Sequence, residues 1–251
     1  MKKTPVARIP GLPETLDIFT RGANLFDSSC SETARVWFTD QDGGYYIKRS
    51  APGSLAEEAT MTRIFHGLGL GPELIVYLPA EADWMVTRAL SGNDCLHRPY
   101  LEDPKHLSET LGQLLRRLHS TDTAACSLPD RNRRYLEDTA FRYHCLSSPS
   151  GADRAAWQVV QQNPDILDSR VLLHGDYCLP NILLDNWAFS GFLDVGAGGI
   201  GDRHIDLYWG CWSILYNLKE ERWCSCFLDA YGRQDVDTQK LRILDAFESF
   251  R

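Results

Sequence analysis

The sequence predicts an α+β chain, with a β-rich N-terminal lobe followed by a mainly α-helical C-terminal lobe. Three observations carry this. Aromatic and β-branched runs bounded by turn residues fill the first 90 residues. From about residue 104 the apolar period lengthens to that of a helix. The late stretch VLLHGDYCLPNILLD, residues 171–185, interrupts the helices with two short apolar runs around a polar cluster. The lobes are placed at 1–92 and 93–251, with a linker near 91–94.

Composition suits that division. The 251 residues are 43% hydrophobic and 24% charged, enough for one large domain or two small lobes sharing a cleft. A net charge of −8 argues against nucleic acid as a partner and is compatible with a cationic small molecule. The N-terminus MKKTPVARIPGLPETL has no apolar core, so no signal peptide is expected. No run approaches 18 apolar residues, so no membrane partner is expected either. The eight cysteines are scattered without a CxxC pair and are read as reduced thiols of a cytoplasmic protein. Cys224-Ser-Cys226 lacks the second Cys/His pair that a zinc site needs.

In order along the chain, ARVWFTD (34–40) and YYIKR (45–49) flank Asp42-Gly43-Gly44 and read as a hairpin. LAEEATMTRIFH (55–66) reads as a helix starting near Ser54 and stopped by Gly67 and Gly69. ELIVYL (73–78) and DWMVTRAL (83–90) are strands. In HLSETLGQLLRRLHS, Leu107, Leu111, Leu114, Leu115 and Leu118 keep a helical period. Weaker helices are expected at 133–145 and 152–163, strands at 171–174, 182–185 and 190–195, and helices at 205–218, 220–231 and 238–250. Asp185-Asn186 reads as a turn. Trp209, Trp212 and Trp223 read as core, Glu220-Glu221 as a solvated face, and His174 as an orienting core residue.

The polar cluster carries the chemistry. Asp176 precedes Asn181 by five residues, and Asp194 ends the next strand before Val195-Gly196. Asn181 and Asp194 are an oxygen-only pair of the kind that suits Mg²⁺. Asp176 is then available to accept a proton from an attacking hydroxyl, which is the division of labour in kinase phosphoryl transfer.

At HGDYCLPN and FLDVGAGGIGDRHIDL the chain resembles the aminoglycoside phosphotransferases, in particular their kanamycin-kinase (3′-hydroxyl) branch. YYIKRS, LAEEATM, RRLHS and YGRQDVDTQKL extend the resemblance through most of the chain. It implies a protein-kinase-like two-lobed fold, with Mg²⁺ and ATP or GTP as phosphoryl donor. It implies that Asp176 is the catalytic base and that Asn181 and Asp194 hold the metal. Lys48 would reach the phosphates and pair with Glu58. Tyr46 would stack on the base, the backbone at Arg88 and Ala89 would hydrogen-bond it, and Ser31 would cover the phosphates. Asp206 would brace the catalytic loop.

The acceptor side departs from the family pattern. Ala197 stands where an Arg is usual, Tyr216 and Asn217 where a Glu or Glu-Asp pair is usual, and Glu248-Ser249-Phe250-Arg251 where the chain usually ends in an acidic-aromatic tail. Tyr216, Asn217, Glu248 and Arg251 are therefore the acceptor candidates. Asp202 stays open between a structural and an acceptor-facing role. The expected acceptor is an amine-bearing small molecule. The competing readings are an aminoglycoside kinase, a kinase of the same fold for another hydroxylated metabolite or antibiotic, and a non-catalytic nucleotide-binding pseudokinase.

Overall fold

Two three-residue strands, Thr4–Val6 (β1) and Leu25–Asp27 (β2), open the computed structural model, which describes residues 4–30 and 33–250. They pair antiparallel, and β2 pairs in turn with Ala34–Thr39 (β3). The hairpin to Tyr45–Ser50 (β4) forms as its glycines predict, in register from Thr39↔Tyr45 to Ala34↔Ser50. Asp42, Gly43 and Gly44 all take positive φ, and at Gly44 a Cβ would stand 2.8 Å from the Phe38 ring. After the helix Ala56–Gly67 (α1) come Leu74–Leu78 (β5) and Asp83–Arg88 (β6), completing a sheet of order β1-β2-β3-β4-β6-β5. Leu55, not Ser54, precedes α1. Its N–H donates 2.9 Å to Oδ2 of the buried Asp83, tying the helix start to β6.

Ile47 and Val86 are fully buried on one face of this sheet, with Trp37 and Trp84 stacked beside them at 6.1 Å. On the other face Leu55 and Ala59 of α1 pack on Met85.

The segment expected as a bare linker contains a short strand, Asn93–Asp94 (β7). It pairs with Ile182–Asp185 (β9), which also pairs with Ala188–Phe192 (β10). Gly92 permits the approach, since a Cβ there would meet the Leu184 carbonyl at 2.1 Å. The β9–β10 turn carries positive φ at both Asn186 and Trp187, the backbone signature of a tight hairpin.

The helical part holds Arg98–Leu101 (α2), Pro104–His119 (α3), Arg131–His144 (α4) and Gly151–Gln162 (α5). Val171–Leu173 (β8) pairs with Gly199–Gly201 (β11). Arg203–Leu218 (α6), Glu221–Gly232 (α7) and Thr238–Glu248 (α8) complete it. The α3 leucines are all buried as their period requires, at about 2 kcal/mol each. Gly112 lets α3 close on α7, because a Cβ would come within 2.3 Å of the Phe227 carbonyl oxygen. Leu244 and Phe247 of α8 are buried with Val160 and Ile166.

The chain divides into two compact units. One is Met1–Asp94 with Pro180–Gly196, and the other is Cys95–Leu179 with Ala197–Arg251. The β9–β10 hairpin, which the sequence order places among the helices, thus belongs with the first sheet. Among the described residues no helix is long and apolar enough to cross a membrane.

Candidate active site

In the first unit, strand alternation puts Tyr46 and Lys48 on one face of β4, and both line a cavity of about 330 Å³. Lys48 Nζ donates to both carboxylate oxygens of Glu58 at 2.8 Å each, and to Asp194 Oδ1 at 2.8 Å. Glu58 is the α1 carboxylate that the resemblance pairs with Lys48. Burial works against the Lys48 ammonium, but Asp194 and Glu58 outweigh it and hold its pKa above the ordinary lysine value. Burial raises Glu58, with Lys48 opposing and the Asp194 charge adding to the rise. Two carboxylates thus share one ammonium. The side chain of Glu58 is 13% exposed and that of Asp194 56%, so Asp194 is the more accessible partner.

Asp194 sits at φ +53, a left-handed conformation that turns the chain sharply after β10. Gly196 follows closely enough to α1 that a Cβ would stand 3.1 Å from Glu58 Cβ. The Leu193 N–H donates 2.8 Å to the Asn181 carbonyl, which brings the Asn181 and Asp194 backbones side by side. Both side chains line the same cavity. An amide oxygen next to a carboxylate is a hard, oxygen-only donor set, so the residues present fit Mg²⁺, which takes its remaining ligands from water and phosphate. Among the described residues no group of three or more His, Cys, Asp or Glu forms an alternative metal cluster.

At the backbone expected to bind the base, two N–H groups already have partners. The Arg88 N–H donates to the Glu73 carbonyl at 2.9 Å, and the Ala89 N–H to the Gly44 carbonyl at 3.0 Å. Strand pairing has consumed both donors. The Arg88 guanidinium lies over the Tyr45 ring at 4.3 Å and donates to the Asp42 carbonyl. Thr87 and Leu90 line the cavity beside Arg88. Ser31 lies outside the described residues.

In the second unit, Asp206 near the start of α6 organises the loop that carries Asp176. It accepts the His174 N–H at 2.7 Å and the Gly175 N–H at 2.8 Å. Gly175 has φ +83, and a Cβ there would lie 2.1 Å from the Ala197 carbonyl oxygen, so only glycine fits. The Asp176 N–H then donates to His174 Nδ1 at 3.3 Å, giving His174 its orienting role.

Asp206 is itself supported by a buried chain that the sequence does not announce. His119, at the end of α3, donates from Nε2 to Asp206 at 3.2 Å and accepts the Tyr231 hydroxyl at Nδ1, 2.9 Å away. Its place in RRLHS marked only a helix end. Burial holds the His119 imidazole below its ordinary pKa, against the pull of Asp206. A histidine depressed in this way contributes stability that is complete above the unfolded value of about 6.5 and is lost as pH falls towards the folded value. We expect melting scans to show a Tm drop of a few degrees from pH 7 to pH 5, and a smaller drop in His119→Gln.

The acceptor candidates fare differently. Asp202 is fully buried and caps α6. It accepts N–H groups from Asp168, Ser169 and His204 and the His204 ring proton, and lies 3.4 Å from the Lys240 ammonium. Burial works to raise its pKa, yet these donors hold it well below the carboxylate range. Its role is structural. Glu248 is also buried, accepts the Tyr135 hydroxyl and faces Arg142 at 3.7 Å, so its charge is spent inside the fold. Asn217 turns back to donate to the Ser213 carbonyl at 2.8 Å. Tyr216 is 60% exposed and stacks on Trp212, with the Lys219 ammonium 4.6 Å over its ring. Trp212 is 46% exposed, against the expectation of a core residue, because it falls on the outward face of α6. Arg251 lies outside the described residues.

The first unit thus presents a lysine held by a helix glutamate and a strand-end aspartate, and the second an aspartate on a clamped loop. The chain belongs to the phosphotransferase enzyme family, whose pattern it matches over residues 26–244. It is 36% identical to a "Probable aminoglycoside 3′-phosphotransferase" of Lactococcus lactis subsp. lactis (strain IL1403) over 253 residues, 96% of each chain. It is 27% identical to an aminoglycoside 3′-phosphotransferase of Niallia circulans over 177 residues, 67% of each. The crystal structure of an aminoglycoside-3′-phosphotransferase of type VIII superposes with a TM-score of 0.70 at 25% identity, covering 89% of this chain and 91% of that one. A macrolide 2′-phosphotransferase from Brachybacterium faecium shares the fold, with a TM-score of 0.62 at 16% identity over 88% of this chain and 82% of its own. The α+β, kinase-like fold and a phosphotransferase acting on hydroxyl groups are therefore established for this chain.

Proposed function

We propose that this enzyme transfers the γ-phosphoryl group of ATP to a hydroxyl of an aminoglycoside, acting in the cytoplasm. The observation that carries the reading is the Lys48–Glu58–Asp194 arrangement in the first unit, which has the charges needed to place a triphosphate. Identity at 36% across nearly the whole chain with a probable aminoglycoside 3′-phosphotransferase supports the acceptor class. In this mechanism Lys48 binds the α/β-phosphates and Tyr46 packs on the base, with Thr87 and Leu90 beside it. Asn181 and Asp194 would hold Mg²⁺, which when bound would neutralise phosphate charge, and the less exposed Glu58 keeps the Lys48 ammonium in place. Asp176 accepts the proton of the incoming hydroxyl as its oxygen bonds to phosphorus, and the nucleoside diphosphate departs.

The buried state of Asp202 and Glu248 favours a second reading, a different hydroxylated acceptor, because two expected grips on a polycation are spent internally. Turnover of kanamycin, neomycin and streptomycin is to be measured beside macrolides and simple amino alcohols, under one Mg²⁺-ATP condition. Phosphorylation of aminoglycosides is the expected result. A clear hit elsewhere with none on aminoglycosides would move the protein to the second reading. No nucleotide turnover with any acceptor would make it a pseudokinase.

A further inference from the structure

The Asp176 carboxylate is held by groups that phosphoryl transfer does not itself require. Cys178 Sγ lies 3.3 Å from Asp176 Oδ1 and donates its S–H, while the Cys178 N–H closes a tight turn on the Asp176 carbonyl at 2.8 Å. Ser213, 1% exposed on α6, accepts the Leu179 N–H at 3.0 Å, which ties the backbone just past Cys178 to the helix. The sulfur is 8% exposed by residue and packs with Leu173, Ile205 and Trp209. Burial, with the Asp176 charge beside it, pushes the Cys178 thiol well up, so it stays protonated and a donor at neutral pH.

The thiol donates to one oxygen of the carboxylate. Fixing Oδ1 fixes the carboxylate plane and the direction in which Oδ2 presents its lone pairs. We propose that Cys178 positions the Asp176 carboxylate, making it a positioning residue for phosphoryl transfer. This rests on the reading of Asp176 as the base.

The test uses the full-length enzyme with Mg²⁺-ATP and kanamycin. In Cys178→Ala the expected result is a drop in kcat of about tenfold, with the KM for ATP unchanged. Cys178→Ser restores kcat to within about threefold. Cys178→Val, similar in bulk and unable to donate, behaves as the alanine variant and guards against a cavity effect. Independently of any acceptor, the S–H infrared band lost in Cys178→Ala moves to higher wavenumber in Asp176→Ala. Wild-type kcat in both the alanine and valine variants would overturn the positioning role. So would a loss of activity that serine does not rescue, or an S–H band indifferent to Asp176. Full activity in Asp176→Asn would instead remove the base assignment beneath it, a failure seen in a different variant.

Discussion

Asp176→Asn is expected to lower kcat by about 10²–10⁴-fold, the usual worth of a general base, while ATP affinity stays at the wild-type value. The substitution keeps the size and hydrogen-bonding shape of the side chain and removes only its capacity to take a proton. The Asp206 clamp acts on the backbone of His174 and Gly175, so the loop retains its conformation. Lys48, Glu58, Asn181 and Asp194 lie in the other unit and are untouched. Steady-state turnover together with equilibrium titration of a fluorescent ATP analogue separates the two quantities. Near-wild-type turnover would take Asp176 out of the base role, and a parallel loss of nucleotide affinity would point to a misfolded loop.

Asp194→Ala is expected to cost about 10²–10³-fold in kcat/KM for ATP and to raise the Mg²⁺ concentration needed for half-maximal rate. Asn181→Ala should do the same to a smaller degree, because it removes a neutral oxygen and not a charge. Asp194 also gives Lys48 its second carboxylate, so its loss leaves the ammonium with Glu58 alone. Titrating Mg²⁺ against each variant reads the difference. Unchanged metal dependence in Asp194→Ala would remove it from the metal site.

The order of the longer elements could be read from the chain because each repeats its signal. Five leucines at a helical period define α3, and Asp42-Gly43-Gly44 defines the first hairpin. Strands of two or three residues, such as β1, β7 and β11, are too short to show alternation and exist only because a partner strand pairs with them. The Lys48–Glu58 pair was expected through the family resemblance alone, and the two groups meet at 2.8 Å. The fates of Asp202 and Glu248 were not legible, since a carboxylate capping a helix and one facing a ligand are the same letter. Only the donors around them decide, and apart from His204, two positions from Asp202, those come from residues 33 to 113 positions away. The partners of the Arg88 and Ala89 N–H groups were hidden for a similar reason, since the acceptors, Glu73 and Gly44, lie in neighbouring segments.

The attachment of residues 180–196 to the N-terminal unit has a consequence for biosynthesis. A ribosome that has delivered residue 94 has delivered only part of that unit. At about 5–20 residues per second the missing hairpin follows roughly 5–20 s later. During that interval Phe65 lacks the Phe192 ring that meets it edge-on, and the Leu70 carbonyl lacks the Phe192 N–H. Lys48 has Glu58 but not Asp194, which lies 146 positions downstream. The nascent chain therefore carries an uncovered aromatic ring for a set stage of translation, and completes the cavity around Lys48 only when most of the message has been read.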